Sequence, residues 1–534
     1  MTQDCVQPQT PRQHGLFAFD IPERGEYVGL RAEGPGAKRK TLLWASTVRP
    51  SSIPKFTTKA FPIMKRTHVQ EFVPLALVCG LALSCMNLFA QQVTPQNRVP
   101  VGHPVPSWSQ PRSIPNGPLP QAVSPIIDPL VSVTIGKSIE GVDFNGSNCG
   151  CLPPDTNAAV GGNFIAEAVN FDFRVWDKTT GNLLLDEPLS TLYGASSGGD
   201  PYVIYDDIVG RWYVTAFDSS DAGLFIGVSN DGSPLDGFVT YDLTNVGGFP
   251  DYQKIGYNRD AIVISYNDFG SGGGNAAILA IDKTALLSGH LVTYNSVPKA
   301  QFRAMPPAQM HGSVPGDPMW FVSTDGSDSG GTIMRVTKMT NVLSNSPTFT
   351  YTSLPVKQYQ NATTADQPGG PGSVTVFPNT TTTQVQYRNG HLLTAMASSL
   401  KKDHFTYPKG LFYQINVASG TPTLLKQGTI DPGKGVAVQM VSIDENAKHK
   451  LGLTWIESSN TEYLSMWVGS TTKVARVDVA PGGGFFFDSF RLGDYSSTVL
   501  DPADGLTFWS ANEYIGSDGS SDIWRTHIAS FTLK

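Results

Sequence analysis

The sequence predicts an all-β fold: a single closed β-propeller over residues 131–534, best counted as seven four-stranded blades, with six or eight left open. Three observations carry this. An Asp after a Gly or Pro turn, followed by short apolar strands, recurs as PPDTNAAVGGNFIAEAVN at Asp155, GGDPYVIYDDIVGRWYVTAF at Asp200, FPDYQKIGYNRDAIVISYN at Asp251, PGDPMWFVST at Asp317 and LGDYSSTVLDPADGLTFWSANEY at Asp494. Self-similarity at about 40–60 residues marks a propeller or array. Charged residues are only 16% of the 534, while Gly (54) and Pro (39) abound, which suits many short strands on tight turns rather than long surface helices. Finally, the last repeat is one strand short and strand-like VSVTIGKSIEGVDF (131–144) is left over at the other end. Pairing one terminus into the other's blade removes both free edges.

Taken in order, the first unit offers FIAEAVN, FRVWD and NLLLD after Asp155. The second is the clearest: PYVIYD (201–206), the turn DIVG, then RWYVTAF (211–217), GLFIGVS (223–229) and FVTYDL (238–243). These are segments rich in β-branched and aromatic residues, separated by Gly, Asp and Ser turns. The third repeats the order with KIGYN, AIVISYN, AAILAID and HLVTYN, and the fourth runs from Met319 through FVST, TIMRVT and FTYTS. The fifth is assigned SVTVF, VQYRN, HLLTAMA and GLFYQIN, with its Asp366 far ahead of its strands. VAVQMVSID, KLGLTWIE and YLSMWVG make the sixth, and FRLGDYSSTVLD, LTFWSANEY and DIWRTHIASFTL the seventh.

The segments at Asp155, Asp200 and Asp494 follow the patterns PPDTxGxVG, DPxVxYDxxxxRW and GDYSxxxxDPxDxxTFWxxNEY. In these the chain resembles an uncharacterised family of secreted bacterial β-propeller proteins over residues 140–534. The departures are Asn157-Ala158 in place of the usual small-Gly step, and Leu492 where Trp is common. The resemblance implies a propeller fold and an extracytoplasmic location; it implies no reaction and no catalytic set.

Ahead of the repeats, residues 64–90 read MKRTHVQEFVPLALVCGLALSCMNLFA. Lys65, Arg66 and His68 form a positive n-region, Phe72 to Leu83 an apolar core, and Ala90 ends a cleavage site before Gln91. The run is shorter than the ~20 residues a bilayer span needs. Residues 64–90 are therefore read as a secretory signal peptide, with 1–63 as an over-extended gene start lacking periodicity. Residues 91–130, rich in Pro and Gln, read as an extended linker. The mature chain is expected outside the cytoplasm as a monomer with no membrane span. Cys149 and Cys151 are then its only thiols, in SNCGCLPPD. They read as a turn-stabilising disulfide pair, since two sulfurs make half of a tetrahedral zinc site.

The repeated Asp155, Asp200, Asp251, Asp317 and Asp494 are the shared polar feature. At one rim of a ring they would repel one another unless a cation such as Ca²⁺ neutralised them or their pKa values rose. The simpler reading has each accept backbone N–H groups two residues on, shaping one turn per blade. Asp494, Asp501 and Glu513 form the densest carboxylate group of the last blade and are the candidate catalytic residues; a glycosidase needs two carboxyls facing each other across a sugar. Trp320, Trp455, Trp467, Trp509 and Trp524 read as filling between blades. VSNDGSPLDGFVTY (228–241) partly echoes an Asp-box hairpin, a structural turn. No GxSxG, HExxH or phosphate-cradling loop is present. A net charge of −7 without a basic run argues against nucleic acid. The expectation is a non-enzymatic binding or scaffolding protein for an extracellular protein, glycan or surface component, the alternative being a polysaccharide hydrolase or lyase.

Overall fold

The computed structural model describes residues 131–534 apart from short segments at 195–197, 219–222, 244–245, 247–248, 271–273, 299–302, 325–329, 362–363, 378–379, 400–406, 471–474, 487–490 and 518–521. The expected leader, signal peptide and linker lie outside the described residues, as do parts of the acidic hairpin tips near 220, 327 and 519. Among the described residues the chain is all-β, with thirty strands and two short helices. No helix there is long and apolar enough to cross a membrane.

Strand β1 (Val133–Asp143) comes first. The first sheet runs β2 (Asn157–Gly161), β3 (Phe164–Val169), β4 (Asp172–Asp177) and β5 (Leu183–Pro188), followed by helix α1 (Leu189–Tyr193). The second runs β6 (Tyr202–Asp206), β7 (Arg211–Asp218), β8 (Gly223–Ser229) and β9 (Phe238–Asp242). The third runs β10 (Pro250–Tyr257), β11 (Ala261–Asp268) and β12 (Asn275–Asp282), then helix α2 (Lys283–Leu287) and β13 (Thr293–Ser296). The α2 N-terminus is capped by Asp282, which accepts the Ala285 N–H at 2.9 Å.

Next come β14 (Ala308–Met310) and a three-stranded sheet of β15 (Met319–Thr324), β16 (Gly330–Thr340) and β17 (Thr348–Gln360). A separate hairpin pairs β18 (Thr364–Gln367) with β19 (Gly370–Thr375). The fifth unit is β20 (Val385–Arg388), β21 (His391–Ser398), β22 (Lys409–Asn416) and β23 (Thr423–Ile430). The sixth sheet holds β24 (Ala437–Glu445), β25 (Leu451–Ser459), β26 (Glu462–Gly469) and β27 (Arg476–Ala480). In the last sheet β28 (Ser497–Leu500), β29 (Phe508–Ser517) and β30 (Asp522–Leu533) are completed by β1, antiparallel to β30 from Val133↔Leu533 to Asp143↔Arg525. The leftover N-terminal strand thus fills the short last unit, as expected.

Three strand assignments are corrected. SVTVF does not lead the fifth unit; most of it belongs to the β18–β19 hairpin, whose Gln367 exchanges two 2.8 Å hydrogen bonds with the Phe486 backbone. The fifth and sixth units take as their last strands β23 and β27, whose positions are mostly half-buried or exposed. The fourth unit's leading strand is only three residues, AQM of β14, and it pairs in parallel with both β10 and β20. Third and fifth units therefore share one nine-stranded sheet.

Leading strands neighbour one another in succession: β2 lies beside β6, β6 beside β10, β10 beside β14, β14 beside β20, β20 beside β24, β24 beside β28, and β28 beside β2. The sheets pack face to face in the same order. Phe173 and Val175 of the first meet Trp212 and Val214 of the second, whose Ile204 and Ile226 meet Ile255 and Ile264 of the third. Leu393 and Phe412 of the fifth meet Ile443 and Trp455 of the sixth; Val160 and Trp176 of the first meet Trp509 and Ile528 of the last. Both faces of these sheets are covered. That is why β11 reads AIVISYND with every residue buried, where a one-faced strand would alternate. Trp320, Trp455, Trp509 and Trp524 are buried in these layers, and Trp467 is half-buried beneath Arg476.

Candidate functional site

Leading strands present a free edge wherever they do not pair with one another, and the N–H groups along such an edge need acceptors from outside their own sheet. Side chains of neighbouring sheets provide them. Asn157 Oδ1 accepts the Val203 N–H at 2.7 Å, Ser497 Oγ that of Ala158 at 3.0 Å, and Asp444 Oδ2 that of Leu500 at 2.8 Å.

Two of the five repeated aspartates, Asp155 and Asp200, join this stitching, and two more stand beside them. Asp155, Asp200, Asp251 and Asp494 stand at the starts of β2, β6, β10 and β28, four leading strands that adjoin one another. Asp155 Oδ2 accepts the Asp200 N–H at 3.3 Å, and Asp200 Oδ2 accepts the Tyr252 N–H at 3.2 Å. The partners lie 45 and 52 residues away, in the following sheet. The expectation that each Asp bonds the backbone two residues on is corrected for these two. Asp317 does make a local turn, accepting the Val314 N–H at 2.8 Å, and it is not part of the cluster.

The strand entries share a backbone feature that no residue type signals. Asp200, Tyr252, Ala304, Thr380 and Met440 have φ of +44°, +56°, +45°, +52° and +48° at or near the starts of β6, β10, β14, β20 and β24. A left-handed non-glycine residue costs roughly 1–2 kcal/mol, so surrounding packing must hold each one.

Two cations sit among the four carboxylates. Arg491 grips Asp494 with two parallel bonds, Nε–Oδ1 at 2.5 Å and Nη2–Oδ2 at 2.7 Å. The Lys254 ammonium lies 3.0 Å from the Tyr252 ring centroid and 4.0 Å from that of Tyr495, and donates to the Tyr252 carbonyl at 3.3 Å. Tyr495 donates to Asp200 Oδ2 at 2.7 Å, and Tyr252 donates to the Asp494 carbonyl at 3.0 Å.

Burial governs the charge states. It pushes Asp155 well above the usual carboxylate range, helped by the charges of Asp200 and Asp494. Asp200 is also pushed up by burial, against the Tyr495 hydrogen bond and Lys254. Asp251 rises to about 6 through burial and the neighbouring Asp200 and Asp494. Asp494 reaches about 6 through burial, which outweighs Arg491. For Lys254 burial outweighs the pull of the four aspartates and lowers it to about 7. A cluster so arranged holds protons and built-in cations, and two of its four carboxyls, those of Asp155 and Asp200, are tied into the backbone.

Of the candidate catalytic carboxylates, Asp494 and Glu513 lie near each other and Asp501 stands apart. Asp494 and Asp501 flank β28 at its two ends, about 20 Å apart along an extended chain. Asp501 pairs with Lys178 at 3.0 Å and accepts the Ala503 N–H at 2.9 Å. Glu513 is fully buried near Asp494, its carboxyl facing Thr156; burial raises it well above the usual range, opposed by that hydroxyl. Cys149 and Cys151 are joined by a disulfide in the loop whose Cys151 carbonyl accepts the Trp524 indole N–H at 2.9 Å.

At the opposite ends of the leading strands lies a narrow recess lined by Val160, Tyr205, Asp207, Gln309, His311 and Leu500 among others. His311 Nδ1 is 2.9 Å from Asp207 Oδ2, its Nε2 is 3.0 Å from Gln386 Oε1, and Tyr257 donates to Asp207 Oδ1 at 2.8 Å. Burial raises Asp207, but His311 overcomes it and holds the carboxyl below its ordinary value. The polar groups here satisfy one another, the side-chain partners of His311 being Asp207, Tyr257 and Gln386.

Sequence reasoning missed Lys254, Tyr252, Tyr495 and Arg491. The step Asp-Tyr, present at 251–252 and again at 494–495, was a signal that both tyrosines belong to the repeat. Nothing marked His311 or Asp207, which occur in single copies at unlike positions.

No family model matches the chain, and no curated protein sequence matches it. Among solved structures it is similar to the N-terminal domain of Nup159, at 12% identity and a TM-score of 0.38, covering 76% of this chain and 96% of that one. Hsv2 of Kluyveromyces lactis follows at 7% and 0.33, covering 70% and 96%, and the WD40 domain of SCAP from fission yeast at 9% and 0.31, covering 74% and 91%. Likenesses this low in identity and score carry no function to this chain, and its architecture stands on its own strand pairings.

Proposed function

We propose that the chain is an exported, closed seven-bladed β-propeller that binds an extracellular protein, glycan or surface component and catalyses no reaction on it. The observation that carries this reading is the employment of the candidate carboxylates. Asp155 and Asp200 stitch neighbouring sheets, Asp494 holds Arg491, Asp501 holds Lys178, and Glu513 is buried. No two of them are left facing each other across an open cleft of the kind glycoside hydrolysis needs. The cyclic neighbourhood of seven leading strands and the completion of the last sheet by β1 support closure and the count of seven. Export is supported by the 64–90 signal, by the Cys149–Cys151 disulfide, which oxidising compartments favour, and by the resemblance in the three motifs.

A glycan array and a polysaccharide hydrolase and lyase screen on the full chain test the binding reading. Retention of a glycan or surface extract without turnover is expected. Turnover that disappears in Asp494→Asn or Glu513→Gln overturns it. N-terminal sequencing of the product from its native host tests export, with a mature end at Gln91 expected and a cell-retained chain beginning near Met1 contrary to it.

A further inference from the structure

The hairpin between β20 and β21 and the hairpin between β24 and β25 belong to neighbouring units and bring together three metal-ligating side chains. His391 opens β21, Glu445 closes β24, and His449 sits in the turn beyond it. His391 Nδ1 is 3.2 Å from Glu445 Oε2, and His449 Nδ1 is 2.8 Å from Glu445 Oε1. All three donor atoms lie within 4.8 Å of one another. We propose that His391, Glu445 and His449 form a binding site for one zinc-like transition-metal ion, with water completing the coordination.

Donor type selects the class of ion. Two imidazole nitrogens and one carboxylate are the protein ligands of open zinc sites, whereas Ca²⁺ and Mg²⁺ call for oxygen throughout. Distance agrees. Zinc–nitrogen and zinc–oxygen bonds of about 2.0–2.1 Å place tetrahedral ligands roughly 3.3 Å apart; the His391–Glu445 separation is 3.2 Å, and that of His449 from Glu445, 2.8 Å, has to open. An ion entering between the three groups takes the place of the protons that now bridge them. The side chain of His449 is 63% exposed and can swing outward to widen the gap, while that of Glu445 is fully buried and anchors it. Gln414 Nε2 touches His391 Nδ1 at 3.2 Å and gives way to the ion.

The turn carrying His449 is already built. Asn446 Oδ1 accepts the Lys448 and Lys450 N–H groups at 3.0 Å each, and the Asn446 carbonyl accepts the His449 N–H at 2.8 Å. His449 itself is held at φ +57°, a conformation that persists only where neighbours enforce it and that concentrates at ligand clamps. The adjacent Asp444 is neutralised by Arg388, at 2.7 Å in both bonds, so Glu445 and not Asp444 is the anion that meets the imidazoles. Bound there, the ion ties two neighbouring units together at their hairpins.

The test uses the untagged full chain, stripped with a chelator and dialysed. Calorimetric titration with Zn²⁺ and absorption with Co²⁺ are expected to show one ion per chain in the micromolar range, with Co²⁺ bands of a nitrogen and oxygen site. His449→Ala removes an exposed side chain and leaves the fold intact, as circular dichroism checks. It and His391→Ala are each expected to weaken binding by at least about tenfold. Absence of zinc binding tighter than millimolar overturns the proposal. So does zinc binding that both histidine variants retain at wild-type strength, which places the ion elsewhere.

Discussion

Tyr495 donates its hydroxyl to Asp200 Oδ2 at 2.7 Å across 295 positions of the chain, tying the start of the last sheet's leading strand to that of the second sheet. The first sheet's strand lies between them and joins the same network, because Asp155 Oδ2 accepts the Asp200 N–H while the Asp494 N–H donates to the Pro154 carbonyl at 3.3 Å. Hydrogen bonds to a buried charged or partly charged carboxyl are worth about 1.5–3 kcal/mol.

Removing that hydroxyl leaves Asp200 Oδ2 with the Tyr252 N–H alone. Tyr495→Phe is expected to lower unfolding free energy by about 1–3 kcal/mol with an unchanged denaturant slope. Urea titration measures it, and a loss under half a kilocalorie would show the bond to be incidental.

Asp251 titrates near 6 in the fold against an ordinary value of 3.8. Because its folded pKa is raised, the folded state holds the proton more tightly than the unfolded state. Its contribution is complete below about pH 4 and is lost as pH rises through 6, at about 1.4 kcal/mol per unit of displacement. Asp251→Asn abolishes this titration. The stability of the wild type minus that of the variant should therefore fall between pH 4 and pH 6; a difference that is flat or rises across that window contradicts the assignment.

Gly493 is at φ +81°, and a Cβ there would stand 2.9 Å from Glu513 Cδ. Gly493→Ala combines a left-handed penalty with a clash against a buried carboxyl. A loss of roughly 2–4 kcal/mol is expected from calorimetric melting.

Lys254 and Arg491 already stand among the clustered aspartates, so added cation has little to neutralise. Millimolar CaCl₂ added to the metal-stripped chain is expected to leave its melting temperature unchanged. A rise that depends on Asp155 or Asp200 would restore the Ca²⁺ reading of that cluster.

The Cys149–Cys151 bridge closes a very short loop. Chain-entropy reasoning gives such a closure about 1–2 kcal/mol, so replacing both cysteines with serine should cost no more than that. A larger loss would show that the loop's hold on Trp524 depends on the bridge.

Much of the strand order was legible in the sequence. PYVIYD, RWYVTAF, GLFIGVS and FVTYDL became β6 to β9 within a residue or two, because turn residues punctuate them and their apolar content is dense. The last strand of the fifth unit, TLLKQGTI, was not legible: it is an edge strand with exposed positions, and edge strands lose the burial that makes an apolar pattern. AQM of β14 is too short to carry any period. Of the candidate site, the aspartates were legible through repetition, but their partners were not. Lys254 and Arg491 are single charges in unlike contexts, and His311 meets Asp207 from 104 positions away.

By itself the sequence determined that this chain is all-β, that its units recur, and that a spare N-terminal strand completes the last sheet, since short-range periodicity and turn chemistry are local properties. Only the tertiary structure decided what the repeated aspartates do. A carboxylate's partner is whatever donor lies within hydrogen-bond reach, and for Asp155 and Asp200 that donor is backbone of the next sheet, 3.3 and 3.2 Å away. The same proximity across sheets gathers His391, Glu445 and His449 from two hairpins, a meeting that no local pattern encodes.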